Sequence, residues 1–279
     1  MQTHRAFGNR MAVVALGLFI ILTVWWLLLK PFQATDLESI THERYIWGSL
    51  YQLIALWGAV CGFVISKSWG GTKSVMGRSI IAFSTGLLLQ VFGQSFYSYY
   101  NLFSQIEAPY PSLGDIGYFG SIFAYIYGVL MLARASGVKV SLKSYANQAK
   151  ALLIPLILLL FTYIFFLRGY EFDWTDKLKV ILDFGYPLGQ AFYVSLAILT
   201  YFLSRNILGG KMRQPIFYIL LALIVQYCSD FNFLYQANQE TWYVGGYGDF
   251  FYMFSYLIMT MSLIYIEITL RRISDSSAQ

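Results

Sequence analysis

The sequence predicts an all-α integral membrane protein of eight transmembrane helices, laid out as two parallel four-helix repeats. Three observations predict it. The chain is 58% hydrophobic and only 12% charged, with a mean hydropathy of +0.57, where soluble domains carry about 25% charged residues. Its apolar residues gather into eight runs, at roughly 12–29, 46–66, 79–100, 116–134, 150–168, 180–203, 214–235 and 248–269. Finally, Gly114-Asp115 opens one run and Gly248-Asp249 opens another 134 residues later. A bilayer core about 30 Å thick needs about 20 helical residues, and each run meets that length. The runs are continuously apolar and do not alternate, which favours helices over barrel strands.

The first run follows Arg5 and Arg10, as a signal peptide would, but it carries Trp25-Trp26 and ends at Lys30-Pro31 with no small-residue cleavage site. A retained helix is expected. The second run leaves through Ser66-Lys67, then Gly70-Gly71 and Lys73. In the third, Gln90, Gln94, Tyr97 or Ser98, and Asn101 recur at helical spacing as one polar stripe. Pro111-Ser112-Leu113-Gly114-Asp115 before the fourth reads as a capping box, with Ser112 as N-cap and Asp115 at N3.

The fifth run begins the second copy. The sixth opens Asp183-Phe184-Gly185-Tyr186-Pro187-Leu188-Gly189-Gln190, where Pro187 suits a first turn and Gly185 with Gly189 permits close helix approach. After the sixth run, Ser204-Arg205 and Gly209-Gly210-Lys211 echo the exit of the second. The seventh carries Gln226, Asp230 and Phe233 on one stripe, with Ser229 and Asn232 beside it. Aligning Gln94 with Gln226 sets Ser98 opposite Asp230. The eighth opens with Gly246 in the N-cap place and Asp249 at N3.

Charge sets the expected topology. With the N-terminus inside, 14 of the 19 Lys and Arg residues fall on the inner side, leaving Lys30, Arg44, Arg168, Lys177 and Lys179 outside. Asp36, Glu38, Glu43, Glu107, Glu171, Asp173, Asp176 and Glu240 all fall in outer loops. Both termini are therefore expected inside, at the plasma (inner) membrane. The net charge of +5 is a topology signal and implies no nucleic acid. Each half holds an even number of spans, so the copies share one orientation and form a parallel repeat. A single polytopic domain over residues 1–279 is expected, with repeat 1 at about 11–134 and repeat 2 at about 150–270.

Asp230 lies within a span, and an ionisable residue there is a candidate site; the alternative is a buried Asp that fixes helix packing. Asp115 and Asp249 have two readings as well. A carboxylate at N3 complements the helix terminus, and both could instead face a shared outer vestibule. Tyr and Trp gather at the outer ends, among them Tyr97, Tyr118, Tyr243, Tyr252 and Tyr256. An interfacial belt explains some of them, but the inner side has far fewer, which suggests rings lining an outward-facing pocket.

Several chemistries are excluded. The two histidines are His4 and His42, neither in a span, so axial haem ligation, a histidine zinc site or a Ser-His pair in the membrane is not expected. Cys61 and Cys228 form no CxxC. No enzyme activity, cofactor or metal is expected.

Pro111-Ser112-Leu113-Gly114-Asp115-Ile116-Gly117-Tyr118 resembles the Pro-Ser-x-x-Asp-x-x-Tyr signature of a multi-span bacterial membrane module. That module is found N-terminal to diguanylate cyclase, phosphodiesterase or histidine kinase domains. Tyr186-Pro187-Leu188-Gly189 is similar to its Tyr-Pro-x-Gly stretch, with Gln190 where an acidic residue often follows. Asp230 has a counterpart, and Gly245 to Asp249 with Tyr252 resembles its last-helix opening. The resemblance implies a membrane-embedded sensory domain. No output domain follows Arg272, so any signal is expected to pass to a separate membrane or cytoplasmic protein partner.

The expected function is thus a stand-alone sensory or ligand-binding module for a membrane lipid or a small lipophilic or aromatic ligand. Its expected contacts are Ser98, Asn101, Asp115, Tyr118, Asp183, Gln226, Asp230, Asp249 and Tyr252. An accessory subunit of a larger membrane complex is the alternative. A small-molecule transporter is disfavoured, because the inner halves of the spans offer few polar residues.

Overall fold

The computed structural model describes residues 2–30, 42–104, 109–138, 143–168, 174–203, 213–238 and 241–277. Among these the chain is all helical. The helices are α1 (Gln2–Leu28), α2 (His42–Leu50), α3 (Leu53–Ser68), α4 (Val75–Tyr99), α5 (Leu113–Ala135), α6 (Tyr145–Thr162), α7 (Lys177–Leu203), α8 (Arg213–Asn238) and α9 (Tyr247–Ser277). They supply eight segments long and apolar enough to cross a membrane, with α2 and α3 together making one of them. The Ser204-to-Lys211 half of the exit match lies outside the described residues, as do the loop carboxylates Asp36, Glu38, Glu107, Glu171, Asp173 and Glu240.

Most helices start before their apolar runs, and local caps explain two of the starts. Ser74 Oγ accepts the Gly77 N–H at 2.8 Å, which begins α4 four residues ahead of the expected run. Ser112 Oγ accepts Gly114 N–H at 3.1 Å while Asp115 Oδ2 accepts Ser112 N–H at 2.7 Å, so the expected capping box is formed. At α9 the cap differs by one residue. Asp249 Oδ2 accepts the N–H of Gly245, at 2.7 Å, and not that of Gly246.

Six segments close a ring. α3 packs on α4, α4 on α5, α5 on α7, α7 on α8, α8 on α9, and α9 back on α3. Helix α1 lies outside it against α9 and α3, and α6 lies outside it against α7. The closest approach in the ring is between α4 and α5. A Cβ on Gly117 would lie 2.4 Å from the Leu89 carbonyl oxygen, and one on Gly93 would lie 2.9 Å from that of Gly114.

The two outer helices are held differently. Trp47 Nε1 donates to the Leu22 carbonyl of α1 at 2.8 Å, and Trp57 Nε1 donates to that of Met11 at 3.0 Å. Helix α6 shares an oxygen–oxygen hydrogen bond of 3.1 Å between Thr162 and Tyr227 of α8. Otherwise it presents Leu152, Leu156, Ile157 and Leu160 outward.

Candidate functional site

The ring encloses a chain of polar side chains, built from both halves of the sequence. Gln90 of α4 donates to Ser121 of α5 at 2.8 Å and accepts from Tyr256 of α9 at 3.1 Å. One turn along α4, Gln94 accepts the Tyr118 hydroxyl at 2.6 Å and donates to the Gly48 carbonyl at 3.0 Å. Gln226 of α8 accepts from Ser255 of α9 at 2.8 Å.

Asp230 is the node of the chain. Its Oδ1 accepts Tyr252 at 2.7 Å, its Oδ2 accepts Gln190 of α7 at 2.7 Å, and Gln226 Nε2 approaches both oxygens at 3.2 and 3.3 Å. Three donors from three helices therefore satisfy one carboxylate. Hydrogen bonds to a charged group contribute about 1.5–3 kcal/mol each where burial makes them necessary.

These bonds pair the helices in a consistent way. Gln90–Ser121 matches Gln226–Ser255, and Gln94–Tyr118 matches Asp230–Tyr252. By hydrogen-bond partner, Gln90 pairs as Gln226 does and Gln94 as Asp230 does. The sequence alignment sets Gln94 against Gln226, one helical turn away from the pairing that these hydrogen bonds pick out. Ser98 is not opposite Asp230 in this sense; its hydroxyl donates to the Gln94 carbonyl of its own helix at 2.8 Å. Asn101 lies beyond, in a π-helical turn, Tyr100–Ser104.

The other expected carboxylates sit at the end of the ring where α5 and α9 begin. Asp115 and Asp249 are buried. Asp115 Oδ1 accepts the Tyr186 hydroxyl of α7 at 2.8 Å, beyond its cap bonds. A Cβ on Gly48 would lie 3.8 Å from Asp249 Oδ2; since Gly48 also receives Gln94, the partner of Tyr118, both caps belong to one end. Asp183 Oδ1 accepts Tyr110 at 2.7 Å. Burial first, and the Asp183 hydrogen bond second, push the Tyr110 hydroxyl above the usual tyrosine range, so it stays a donor.

Seven of the nine expected residues join this constellation: Asp115, Tyr118, Asp183, Gln226, Asp230, Asp249 and Tyr252. Sequence reasoning missed Gln90, Gln94, Ser121, Tyr186, Gln190, Ser255 and Tyr256 as contacts. Ser121 and Ser255 stand six residues after Asp115 and Asp249, a repeated interval that carries the signal. The rings pack with the network: Tyr97 lies edge-on to Tyr118 with centroids 5.6 Å apart, and Tyr51 stacks with Tyr256 at 6.1 Å.

No protein-family model, curated protein or solved structure matches the chain.

Proposed function

We propose that this protein is a membrane-embedded sensory module whose ligand, a lipid or a small lipophilic or aromatic molecule, engages the end of the bundle bearing Asp115 and Asp249. The Asp230 node carries the reading. A carboxylate at that depth of a bilayer is expensive and serves function by default, and this one joins α7, α8 and α9 through side chains alone. Under this reading the ligand binds one packing of these helices better than another and shifts the population toward it. Under this proposal both termini face the cytoplasm at the inner membrane, and the halves are parallel repeats. The matched bonds of α4–α5 and α8–α9 support the repeat. The resemblance to modules ahead of cyclases and kinases fits such a role, with the signal passing to a separate protein.

A second reading has its own observation. Only 6% of the α6 span is buried within the chain, the least of the eight, which suits an accessory subunit that lays α6 against a neighbour.

Purification from native membranes in mild detergent, with mass spectrometry of everything retained, decides between them. A stoichiometric lipid or small molecule, lost on Asp230→Asn or on Asp115→Asn with Asp249→Asn, fits the sensor. A fixed set of membrane subunits, unaffected by these changes, overturns it in favour of the accessory subunit.

A further inference from the structure

Arg44 carries a charge that its protein partners use only in part. It is 8% exposed and stands in the first turn of α2, where the second span begins. Its Nη2 donates to the Leu29 carbonyl at 3.0 Å and lies 3.4 Å from that of Lys30. A cation there complements the end of α1, which explains that nitrogen and not the other two. A guanidinium has five N–H donors, three of them on Nε and Nη1. Those three donate to no described residue, and neither atom is sealed from the surface. One face of the group lies over Tyr243, with the guanidinium carbon 5.4 Å from the ring centre. Among the described residues no carboxylate pairs with it. A cation this buried is costly without an anion.

The surroundings suit an amphiphile. The first span ends at Leu28 and the second starts at His42, so Arg44 stands at the level of the lipid headgroups. Lys30, whose carbonyl Arg44 approaches, is exposed. On the proposed topology both belong to the five cations left outside, so the inward bias of charge does not explain them. Below them α1 and α9 meet in an aromatic seam. Trp26 stacks on Phe250 with centroids 4.3 Å apart, and Phe19 lies 6.0 Å from Phe250 and 6.2 Å from Phe254. Phe254 of α9 and Leu27 of α1 keep apolar surface exposed. Phe19, Trp26 and Lys30 follow helical spacing along one face of α1. From Phe19 to Lys30 is about 16 Å along the chain at about 1.5 Å per residue. That is about half of a bilayer core of about 30 Å, the reach of one leaflet.

We propose that Arg44, with Lys30, holds the phosphate of an anionic phospholipid whose tail lies along the Phe19–Phe250–Phe254 seam. Phosphate oxygens accept from Nε and Nη1 as charge-assisted bonds, and Lys30 adds a second positive charge near the headgroup. The site borders the cap of α9: a Cβ on Gly245 would lie 3.1 Å from Arg44 Cβ, and the Gly245 N–H donates to Asp249 Oδ2. The proposal names the lipid class of the sensory reading and rests on that reading for what binding does. The site itself is read from Arg44 and its surroundings.

The test is native mass spectrometry of the full chain, stripped of lipid in detergent and titrated with two phospholipids. Dioleoylphosphatidylglycerol and dioleoylphosphatidylcholine share their tails and differ in net charge. The expected result is one molecule of the anionic lipid bound about tenfold more tightly than the zwitterionic one. Arg44→Gln should abolish that preference, and Lys30→Gln should lower it severalfold. Lys179→Gln, an exposed cation on α7, should leave it unchanged. Inorganic phosphate at millimolar concentration should leave the lipid bound; displacement by it would make this a site for free anions and overturn the lipid. Equal affinity for the two lipids overturns the proposal, and so does a preference that Lys179→Gln lowers as much as Lys30→Gln does. Arg44→Gln also removes a hold on the end of α1, so where it fails to fold, the exposed Lys30 against Lys179 decides the question. Asp115, Asp230 and Asp249 are untouched and the lipid is added. Failure here therefore leaves another ligand open at those carboxylates, and failure of the native-membrane experiment leaves this site standing.

Discussion

Tyr252 gives its hydroxyl hydrogen to Asp230 Oδ1 across 2.7 Å, in the place where Tyr118 gives its own to the neutral amide of Gln94 across 2.6 Å. The two bonds have one geometry and different acceptors. A hydrogen bond to a charged acceptor contributes about 1.5–3 kcal/mol and a neutral one about 0.5–1.5 kcal/mol. Tyr252→Phe should therefore destabilise the protein more than Tyr118→Phe, by about 1 kcal/mol. Thermal unfolding of both variants in one detergent checks the order, and equal midpoints would mean that the two acceptors hold their tyrosines equally well.

Close approach of α4 and α5 yields a sharper contrast. Alanine at Gly117 would put a methyl group 2.4 Å from the Leu89 carbonyl oxygen, which is backbone and cannot turn away. Alanine at Gly120, one turn on, would meet the same residue's Cδ1 at 3.6 Å, ordinary contact. Overpacking costs about 1–3 kcal/mol, so Gly117→Ala should lose that much stability or fail to fold. Gly120→Ala should be neutral or slightly stabilising, since alanine favours helix by about 1 kcal/mol over glycine. Yields and unfolding midpoints of the two proteins test the pair.

What the sequence made legible follows from how local each signal is. The eight segments depend on apolar length alone, and the Ser112–Asp115 cap spans four residues, so both could be read directly. Partner choice across helices could not. Gln90, Gln94 and Gln226 share a residue type, yet it is Gln90 that pairs with a serine, Ser121, as Gln226 pairs with Ser255. Tyr186 stood out for its Pro187 neighbour, and nothing local links it to Asp115, 71 residues away. The unlike attachment of α1 and α6 depends on indole donors at Trp47 and Trp57 that have no counterpart pattern in the second half of the chain.

Tyr110 offers a pH test outside the spans. Its hydroxyl is held above the tyrosine range by burial and by Asp183. A raised pKa means that its contribution is fully present below the unfolded value of about 10 and is lost only as the pH climbs beyond that. Tyr110→Phe should thus lower stability by about 1 kcal/mol, and by the same amount at pH 6 as at pH 9. A penalty that vanishes by pH 9 would show that the hydroxyl ionises early and does not donate to Asp183.

Asp115 and Asp249 share a helix position but not a set of partners. Both accept a backbone N–H at 2.7 Å, and asparagine keeps one oxygen able to do the same. Asp115 in addition uses its second oxygen for Tyr186; with asparagine an amide N–H takes that place, and the Tyr186 hydroxyl must turn from donor to acceptor to meet it. Asp115→Asn should therefore cost about 1–2 kcal/mol, and Asp249→Asn less than about 1 kcal/mol, near the scale of a lost cap. Tyr186→Phe should cost less on top of Asp115→Asn than it does alone, since the bond it removes is already weakened. If the double aspartate variant alters stability alone, with retained ligand and signalling unchanged, the two carboxylates are helix caps and the binding contacts lie elsewhere on the ring.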